Sequence, residues 1–196
     1  MRVLLIHAHP AEESFNHVIA TTAAEALGHG GHEVDVIDLY ADGFDPRMTT
    51  AEREAYETDD AIVDPLARHY ANLVETCEAM VFVYPTWWGG VPAILKGWFE
   101  KVLVPGVAFH LDPRTQRVVR DLTGIRRLVA ITTTGRSRRH FWLTTDQGRR
   151  LIHRSLRMST GIRARSTWLA LHDIESSSEF DRGEFLERVR SRLEAL

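Results

Sequence analysis

Short apolar runs alternate with longer amphipathic segments along the whole of this chain. Apolar runs at 2–8 and 79–84 predict buried strands, and residues 127–133 and 162–171 predict two more strands. Residues 32–39 instead alternate polar and apolar side chains, which is typical of a half-buried strand at a sheet edge. The pattern therefore predicts five strands, separated by segments that are long enough for helices.

Helical periodicity fills most intervals between these strands. Ser14 is the predicted N-cap of the first helix, and Pro92 suits the first turn of the helix after the third strand. The stretch 103–123 is long for a simple connection and predicts a hairpin-like excursion around Phe109. The predicted helices span residues 14–28, 49–57, 64–78, the segment after Pro92, 145–160 and 180–196.

Strands that alternate with helices favour an α/β fold with a parallel, doubly wound sheet. Right-handed crossovers place the loops after strands one, three and four along one rim of that sheet. Open sheets of this class bind ligands in the crevice at the carboxyl ends of their strands. Those three loops are therefore where we expect a ligand.

Two adjacent tryptophans, Trp87 and Trp88, follow the strand that Pro85 ends. Indole rings offer flat apolar walls and N–H donors. The next residues, Gly89 and Gly90, let the main chain approach a ligand closely or adopt a positive φ. This loop predicts a site for a planar ring, and the alternative is that the tryptophans only cover the core.

The other two loops offer complementary polar groups. The loop from His9 to Asn16 leads directly into a helix, whose free N–H groups and positive dipole end favour phosphate. Thr132–Gly135 supplies hydroxyls and amides suited to the polar edge of a ring. Because no G-x-G-x-x-G occurs, a phosphate site beside a flat ring indicates a flavin. An ordinary capped helix and an ordinary turn remain the alternatives.

Composition agrees with a globular protein: of 196 residues, 44% are hydrophobic and 26% charged. We expect a single domain over residues 1–196. No apolar run approaches the ~20 residues needed to span a bilayer, so we expect no membrane insertion and a cytoplasmic location. Cys77 is the only cysteine, which excludes an intrachain disulfide and a thiol-based zinc site.

The net charge of −3 hides an asymmetry between the two halves of the chain. Residues 1–100 carry five Lys and Arg against 17 Asp and Glu, whereas residues 101–196 carry 19 against 10. Between positions 136 and 165, nine arginines accompany a single acid, Asp146, which indicates an anion-facing surface. No nucleic-acid-binding motif accompanies them, so a phosphorylated cofactor or the acidic half of the fold explains them without nucleic acid.

Two other enzyme classes are disfavoured by residue spacing. His7 and His9 share a face only in an extended chain, and neither H-E-x-x-H nor an acidic cluster with ligand spacing accompanies them. We therefore expect no metal site. The lack of a G-x-S-x-G elbow likewise disfavours a serine hydrolase.

Taken together, these residues resemble the flavodoxin-like NAD(P)H:quinone oxidoreductase family, which includes the DT-diaphorase type and small bacterial quinone reductases. The resemblance covers most of the chain, and the block from Trp87 to Glu100 is its most specific part. The other matching segments are His9 with Ser14–Asn16, Asp38–Tyr40, Phe44–Pro46, Gly106–Phe109 and Thr132–Gly135.

The resemblance implies a flavodoxin-like three-layer sandwich, a five-stranded parallel sheet of order 2-1-3-4-5, and a homodimer. It also implies a flavin that takes a hydride from NAD(P)H and passes two electrons to a quinone or similar planar acceptor in ping-pong order. Trp88 and Phe109 are expected to contact the acceptor. The residues expected to bind the flavin are His9, Ser14, Phe15, Asn16, Pro85, Thr86, Trp87, Trp88, Gly89, Thr132, Thr133, Thr134 and Gly135.

The segment after the threonine turn departs from the family pattern. The DT-diaphorase type has a tyrosine and a histidine there, which help to handle charge and protons. In this chain His140 falls near the tyrosine position, and Asp146 is the residue nearest to the second position. A proton-donor role for His140 is one hypothesis, and an ordinary surface histidine is the alternative.

The identity of the cofactors and a non-enzymatic role are left open by the sequence. FMN is favoured by the short chain, with FAD as the alternative, and the arginine cluster favours NADPH over NADH. The rival to an enzyme is a flavin-binding electron carrier, or an accessory or regulatory subunit of a transport protein. Electron carriers of this fold usually present an acidic rim, whereas arginines and tryptophans on this rim favour a small aromatic acceptor.

Overall fold

Five parallel strands form the central sheet. The strands of this sheet are β1 (Arg2–His7), β2 (Glu33–Asp38), β3 (Ala79–Pro85), β6 (Arg127–Thr133) and β7 (Arg165–Leu171). Two further strands, β4 (Phe109–Leu111) and β5 (Val118–Arg120), pair only with each other among the described residues. The sheet order is β2-β1-β3-β6-β7, with every neighbouring pair parallel. Counted along the chain, this is the expected order 2-1-3-4-5. The computed structural model describes residues 1–58, 60–161 and 163–196, with the main chain alone at 142 and 143.

Helices connect the strands. They are α1 (Phe15–His29), α2 (Thr50–Ala55), α3 (Pro65–Thr76), α4 (Ala93–Val102), α5 (Arg138–Thr144), α6 (Gln147–Arg150), α7 (Arg157–Ser159) and α8 (Glu179–Glu194). A π-helical segment, Leu151–Leu156, joins α6 to α7, and a 3-10 turn, Ile174–Ser176, precedes α8. Within the described ranges, no helix combines the length and the apolar character that a membrane crossing requires.

Both faces of the sheet are covered, which explains why its inner strands are apolar along their whole length. On one face α1 and α8 bury side chains such as Ile19 and Phe185. On the other face α3, α4 and the π-helical segment bury Tyr70, Trp98 and Ile152. A fully buried Ile or Phe contributes about 1.5–3 kcal/mol of hydrophobic stabilisation, so these two layers hold the rim of the sheet in place.

Polar side chains set the helix starts. Ser14 is confirmed as the N-cap of α1, because its Oγ accepts the His17 N–H at 3.2 Å. Thr49 and Glu52 form a capping box at the start of α2. Pro92, expected in the first turn of α4, instead occupies its N-cap position with φ of −57°. The fixed φ of proline is compatible with this boundary as well.

The segment between β6 and β7 differs from the predicted single helix over 145–160. The chain forms α5 first, and Thr145 ends it with φ of +65°. A new start follows at once because Asp146 accepts the N–H of Arg149 at 2.9 Å and caps α6. The prediction missed α5 because its sequence has no apolar stripe at helical spacing.

The outer strands follow the predicted pattern. β2 lies at one edge of the sheet and pairs only with β1, as its alternating side chains indicated. β7 lies at the other edge and begins at Arg165. The predicted start of this strand, position 162, lies outside the described residues.

The excursion around Phe109 is confirmed as an antiparallel hairpin. Phe109 of β4 pairs with Arg120 of β5, and Leu111 pairs with Val118. Leu111 and Val118 are exposed, so the hairpin presents apolar surface to solvent. An exposed apolar patch of this kind is typical of an interaction surface.

Close packing fixes α4 beneath the tryptophan loop. The Lys101 Nζ lies 2.9 Å from Glu52 and 3.1 Å from Asp64, which joins α2, α3 and α4 through buried charges. Gly97 faces the chain at Pro46, and a β-carbon at Gly97 would overlap with the Cα, Cβ and carbonyl oxygen of Pro46. The helix can approach this segment only because position 97 has no side chain.

Candidate functional site

Trp87–Gly90 form a tight turn directly after β3. The Trp87 N–H donates to the Gly90 carbonyl at 3.1 Å, and the Gly90 N–H donates back to the Trp87 carbonyl at 3.0 Å. The two central residues, Trp88 and Gly89, have φ of +51° and +75°. Positive φ at both central positions defines a type I′ turn, which favours glycine and is strained for tryptophan.

This turn holds the two indoles at the carboxyl edge of the sheet. The Trp88 side chain is fully exposed, at 105%, and that of Trp87 is 41% exposed. The Trp87 ring lies 6.1 Å from the His9 ring, centroid to centroid. Large exposed aromatic surface is costly to leave in water, so this pair is suited to contact a ligand rather than to cover the core.

The threonine turn lies beside the tryptophan turn, as the strand order requires. The Thr86 N–H donates to the Thr133 carbonyl at 2.8 Å, and the Thr86 and Thr132 hydroxyl oxygens are 2.8 Å apart. The Thr134 N–H donates to the Leu171 carbonyl at 3.0 Å and is therefore already used within the protein.

Polar groups at the end of the threonine turn face the rim. The Thr134 Oγ1 accepts the Arg136 N–H at 3.1 Å, which folds the chain back after Gly135. Gly135 and Arg136 are exposed, and both line the cavity beside the tryptophan turn. The Gly135 N–H and the Arg136 guanidinium are the donors that this turn offers to a ligand.

A cavity of about 1050 Å³ lies between the two turns. It joins residues that the sequence placed in separate loops, and His140 as well. The predicted residues in its wall are Pro85, Thr86, Trp87, Trp88, Gly89, Thr133, Thr134, Gly135 and His140. Its volume matches the upper range of pockets that hold cofactors and drug-sized ligands, about 300–1,000 Å³.

The first loop borders this cavity without lining it. Asn16 is buried, and its Nδ2 donates to the Thr133 Oγ1 at 3.4 Å. Its Oδ1 is buried without a hydrogen-bond partner among the described residues. Ser14 caps the His17 N–H, which leaves the N–H groups of Phe15 and Asn16 in the first turn of α1 without an intrahelical acceptor. An anion at the start of α1 would satisfy them.

Phe15 does not point a free ring at the cavity. It packs against the core on the α1 and α8 face, and the Arg182 guanidinium lies 5.5 Å from its ring centroid. Its main-chain N–H, rather than its ring, is the group available to an anion. His9 lies on the cavity side of this loop, and its Nδ1 accepts the Ala11 N–H at 3.1 Å.

Phe109, predicted to contact the acceptor, does not line the cavity. Its ring is partly buried against the core on the α3 and α4 face of the sheet, and no described residue of the hairpin is in the cavity wall. The contact of Phe109 with the acceptor therefore stays a prediction, and nothing in the sequence fixes where a hairpin outside the main sheet lies.

Sequence reasoning missed several residues of the cavity wall. Glu175 is the most polar of them, and its Oε1 lies 3.1 Å from where a β-carbon of Gly135 would be. The loop after β7 carries Glu175, and β7 lies beside β6, so its carboxyl end meets the same rim. That topological rule was the available signal. The missed residues are Phe141, Thr144, Thr145, Gln147, Ile174 and Glu175, whereas Arg136 is one of the arginines that the sequence singled out.

Within the described chain, His7, His17 and Asp38 are the group whose ligand atoms come close enough for a metal, within 4.8 Å of one another. His7 is buried, and its Nδ1 lies 2.8 Å from the Asp38 Oδ2. Burial lowers the pKa of His7, although the bond to Asp38 opposes this shift. The hydrogen bond explains why His7 and Asp38 lie close together, so their proximity does not by itself indicate a metal site.

A second cavity, also of about 1050 Å³, lies along β7 on the other side of α5. Burial raises the pKa of Asp146 there, which weakens the acidic character of this carboxyl in an otherwise basic cavity. Five of the nine arginines that the sequence places between positions 136 and 165 line this groove, and Arg188 of α8 joins them. Its arginines are Arg138, Arg149, Arg150, Arg154, Arg157 and Arg188.

Comparison with known proteins agrees with this architecture. NAD(P)H dehydrogenase [quinone] 1 of Cavia porcellus is 37% identical over 123 residues, which are 55% of this chain and 45% of that protein. The chain thus spans less than half the length of this curated relative.

Two solved structures share the fold across the whole chain. The Smu.1420 protein of Streptococcus mutans superposes with a TM-score of 0.85 at 26% identity, covering 100% of both chains. An FMN-dependent NADH-azoreductase of Bacillus anthracis, solved in complex with FMN, superposes with a TM-score of 0.73. It is 15% identical and covers 100% of this chain and 97% of its own, so this likeness shows the fold alone.

A sequence model of the flavodoxin-like fold family matches residues 1–193. This match extends over the sheet, the three loops at its carboxyl edge and nearly all of α8. The resemblance seen in the sequence is therefore confirmed, and the chain belongs to the flavodoxin-like family that includes NAD(P)H:quinone oxidoreductases.

Proposed function

We propose that this protein is a flavin-dependent oxidoreductase that passes a hydride from NAD(P)H, through a bound flavin, to a quinone or a similar planar acceptor. The observation that carries the proposal is the cavity between the tryptophan and threonine turns. Trp88 presents a fully exposed flat ring there, and Gly135 and Arg136 present polar donors. A planar heterocycle with a polar edge matches both walls.

The residues present fit a flavin in shape and in hydrogen bonding. The indole of Trp87 or Trp88 would contact the ring, and the open space beside the main chain of Gly89 allows a close approach. The phosphate would lie at the start of α1, where the first-turn N–H groups lack acceptors. Asn16 is in the first turn of α1 and contacts Thr133, and its Oδ1, which has no partner among the described residues, is suited to accept a hydroxyl of the linking chain.

A bound flavin supplies the chemistry of this proposal, since it accepts a hydride from the nicotinamide and afterwards gives two electrons to the quinone, in ping-pong order. The protein groups hold charge and protons around that exchange. The Gly135 N–H and the Arg136 guanidinium would stabilise negative charge at the polar edge of the ring. Thr134 supports this turn through Leu171 and Arg136 rather than as an amide donor to the ring.

His140 is the proposed proton donor to the reduced acceptor. Its side chain is half-buried in the cavity wall, and its ring packs edge-on against Phe141 at 5.6 Å. Ser137 caps α5 by accepting the His140 N–H, which orients the first turn of that helix. Histidine is the side chain that most often transfers protons in general acid–base catalysis.

FMN is the proposed cofactor, with FAD as the alternative. The support from comparison is that an azoreductase with the same fold was solved with FMN bound. The name of the Cavia porcellus relative indicates NAD(P)H as donor and a quinone as acceptor. Stacking sites select planarity more than identity, so azo compounds and nitroaromatics belong to the same proposed class of acceptor.

We propose a homodimer as the working form. The exposed Leu111 and Val118 on the hairpin are the apolar surface that a second copy would cover. Since Phe109 does not reach the cavity of its own chain, its proposed contact with the acceptor would require the hairpin of a second copy. Light scattering of the wild type and of the Leu111→Glu variant tests this, and a monomeric wild type would contradict it.

The decisive experiment releases the pigment from purified protein and identifies it by mass, followed by steady-state turnover of NADPH and NADH with a simple quinone. We expect yellow protein that contains FMN and turns over. Protein that stays colourless after incubation with FMN and FAD would overturn the proposal. A flavoprotein that neither nicotinamide reduces would instead indicate the electron carrier or accessory subunit.

A further inference from the structure

The groove along β7 is built differently from the flavin cavity. Its floor is the exposed side of the edge strand, and its walls are α5, the α6 to α7 segment and α8. Six arginines and one acid, Asp146, line it. A concave surface with this excess of one charge concentrates anions of the opposite sign.

The arginines of the groove are not neutralised by the carboxylates that the structure describes. Those between positions 138 and 157 form no ion pair with a carboxylate in the described ranges of the chain. The nearby carboxylate of Asp146 is used to cap α6, where it accepts the Arg149 N–H. Unpaired guanidinium groups clustered on one wall are typical of phosphate recognition, because each presents several donors in a planar fork.

Aromatic surface accompanies these charges. Trp168 of β7 is partly exposed on the groove floor, and its ring packs edge-on against His153 at 5.7 Å. Phe141 of α5 lines the groove as well. Flat rings beside arginines suit a base attached to phosphates better than a simple inorganic anion.

The wall helix is itself irregular at this place. Leu151–Leu156 adopt a π-helix between α6 and α7, and this segment contains His153 and Arg154. A π-helical insertion shifts the side chains that follow it around the helix axis, and such insertions are frequent at functional sites. Here the insertion accompanies an arrangement in which Arg150, Arg154 and Arg157 all line the groove.

The groove adjoins the proposed flavin cavity. Phe141 and Thr145 line both of them, on opposite sides of α5. A ligand with a ring in the flavin cavity could therefore continue around the end of α5 into the groove. Such a ligand would need a flat reactive ring at one end and a phosphorylated, base-bearing group at the other.

We propose that the arginine groove along β7 binds the adenosine 2′-phosphate end of NADPH while the nicotinamide lies in the flavin cavity. This inference rests on the proposed function and makes it specific, since it names NADPH as the donor. NADH lacks the 2′-phosphate and would leave the arginines without their partner. The groove would thus select the donor without touching the reacting ring.

The binding test uses adenosine 2′,5′-bisphosphate, which carries this end of NADPH and no nicotinamide. In calorimetric titration of the flavin-loaded protein, we expect it to bind at least about tenfold more tightly than 5′-AMP, because one charge-assisted interaction is at stake. Arg150→Glu and Arg157→Glu should each remove that preference. Both residues are exposed, and the exposed Arg163, which lines neither cavity, provides the matched control Arg163→Glu.

The kinetic test compares both donors in the same variants. We expect KM for NADPH to rise at least about tenfold in Arg150→Glu and Arg157→Glu, and KM for NADH to rise much less, so that the preference for NADPH over NADH is lost. Equal affinity for the bisphosphate and 5′-AMP, or equal KM for NADPH in the variants and the control, would overturn the inference. A single-stranded oligonucleotide that binds more tightly than the bisphosphate, and whose binding is lost in Arg150→Glu, would also overturn the inference and assign the groove to nucleic acid.

These outcomes separate the inference from the proposed function. A protein that oxidises NADH and NADPH equally well keeps the proposed function and loses the inference. A protein that oxidises neither donor loses the proposed function. The bisphosphate titration then still decides whether the groove recognises a 2′-phosphate.

Discussion

The main-chain N–H of Gln147 donates a 2.9 Å hydrogen bond to the carbonyl oxygen of Gly89. This bond attaches the tryptophan turn to the first residue of α6, so the flavin cavity and the arginine-bearing helix share one anchor. Gly89 has φ of +75°, and no atom lies within 4 Å of the position its β-carbon would take. Backbone strain alone therefore opposes an alanine at this position.

We expect Gly89→Ala to destabilise the fold by about 1–2 kcal/mol and to weaken FMN binding roughly tenfold, because the strained turn would shift the indoles. Gly31→Ala is the matched control, since Gly31 has φ of +76° with equally open surroundings and lies outside the cavity. Urea unfolding should show a similar loss in the free energy of unfolding for both variants. FMN titration should show a loss of affinity for FMN in Gly89→Ala only. Equal FMN affinities would show that the turn does not contact the flavin.

Trp88 should contribute to ligand binding and not to folding. Its side chain is fully exposed, so we expect Trp88→Ala to change the free energy of unfolding by less than about 0.5 kcal/mol. Loss of the stacking surface, worth about 0.5–1.5 kcal/mol, should raise KM for the quinone up to roughly tenfold. Phe180→Ala, at a 74% exposed aromatic outside the cavity, is the control. An unchanged KM in Trp88→Ala would remove this residue from the site.

A proton-donor role for His140 predicts a defect in only one half of the reaction. In stopped-flow measurements, His140→Ala should slow oxidation of the reduced protein by quinone at least about 100-fold, because general acid catalysis typically contributes that much. Its reduction by NADPH should keep the wild-type rate. His29→Ala, at an exposed histidine on α1, should leave both rates unchanged. If His140→Ala also transfers electrons to quinone at the wild-type rate, His140 is an ordinary surface histidine.

The sheet and its rim could be predicted because their signals are local. The apolar run that ends at Pro85 and the paired Trp87 and Trp88 placed the tryptophan turn by themselves. The threonine turn follows from the strand at 127–133 in the same way. The rule that parallel strands end at one edge then brought the two turns together, as the 2.8 Å bond from Thr86 to Thr133 bears out.

What could not be predicted depends on contacts between distant segments. The Thr134 N–H looked available in the sequence, and only the pairing of β6 with β7 shows that it donates to Leu171. Glu175 belongs to a 3-10 turn that no periodicity indicates. The arginines between 136 and 165 predicted an anion-facing surface, but its concave shape depends on the edge strand β7, and on Trp168 in its floor.

Packing of α4 gives a stability prediction that is independent of any ligand. A β-carbon at Gly97 would overlap with the main chain of Pro46, so Gly97→Ala should destabilise the protein by about 1–3 kcal/mol through overpacking. Gly183→Ala is the opposite control, because Gly183 lies in α8 with no atom within 4 Å of the added carbon. It should stabilise by about 0.5–1 kcal/mol. If urea unfolding shows the same change in the free energy of unfolding for both variants, the close approach of α4 to Pro46 is contradicted.

The buried His7 predicts how stability depends on pH. Burial lowers the pKa of His7 below its usual 6.5, while the bond to Asp38 opposes the shift. At about pH 7.5 and above the residue is neutral in both states and has no effect on the pH dependence. As the pH falls below that value, the unfolded chain binds a proton that the folded protein resists, so stability declines.

We therefore expect the free energy of unfolding to fall between pH 7.5 and 5.5, with a contribution from His7 of at most about 1.4 kcal/mol per pH unit. The pKa of Asp38 is also lowered, because its hydrogen bonds outweigh burial, so this carboxylate changes stability only at lower pH. His7→Gln should flatten the profile in this window, and His29→Gln should not. Parallel profiles for the wild type and His7→Gln would show that the folded protein accepts the proton as readily as the unfolded chain.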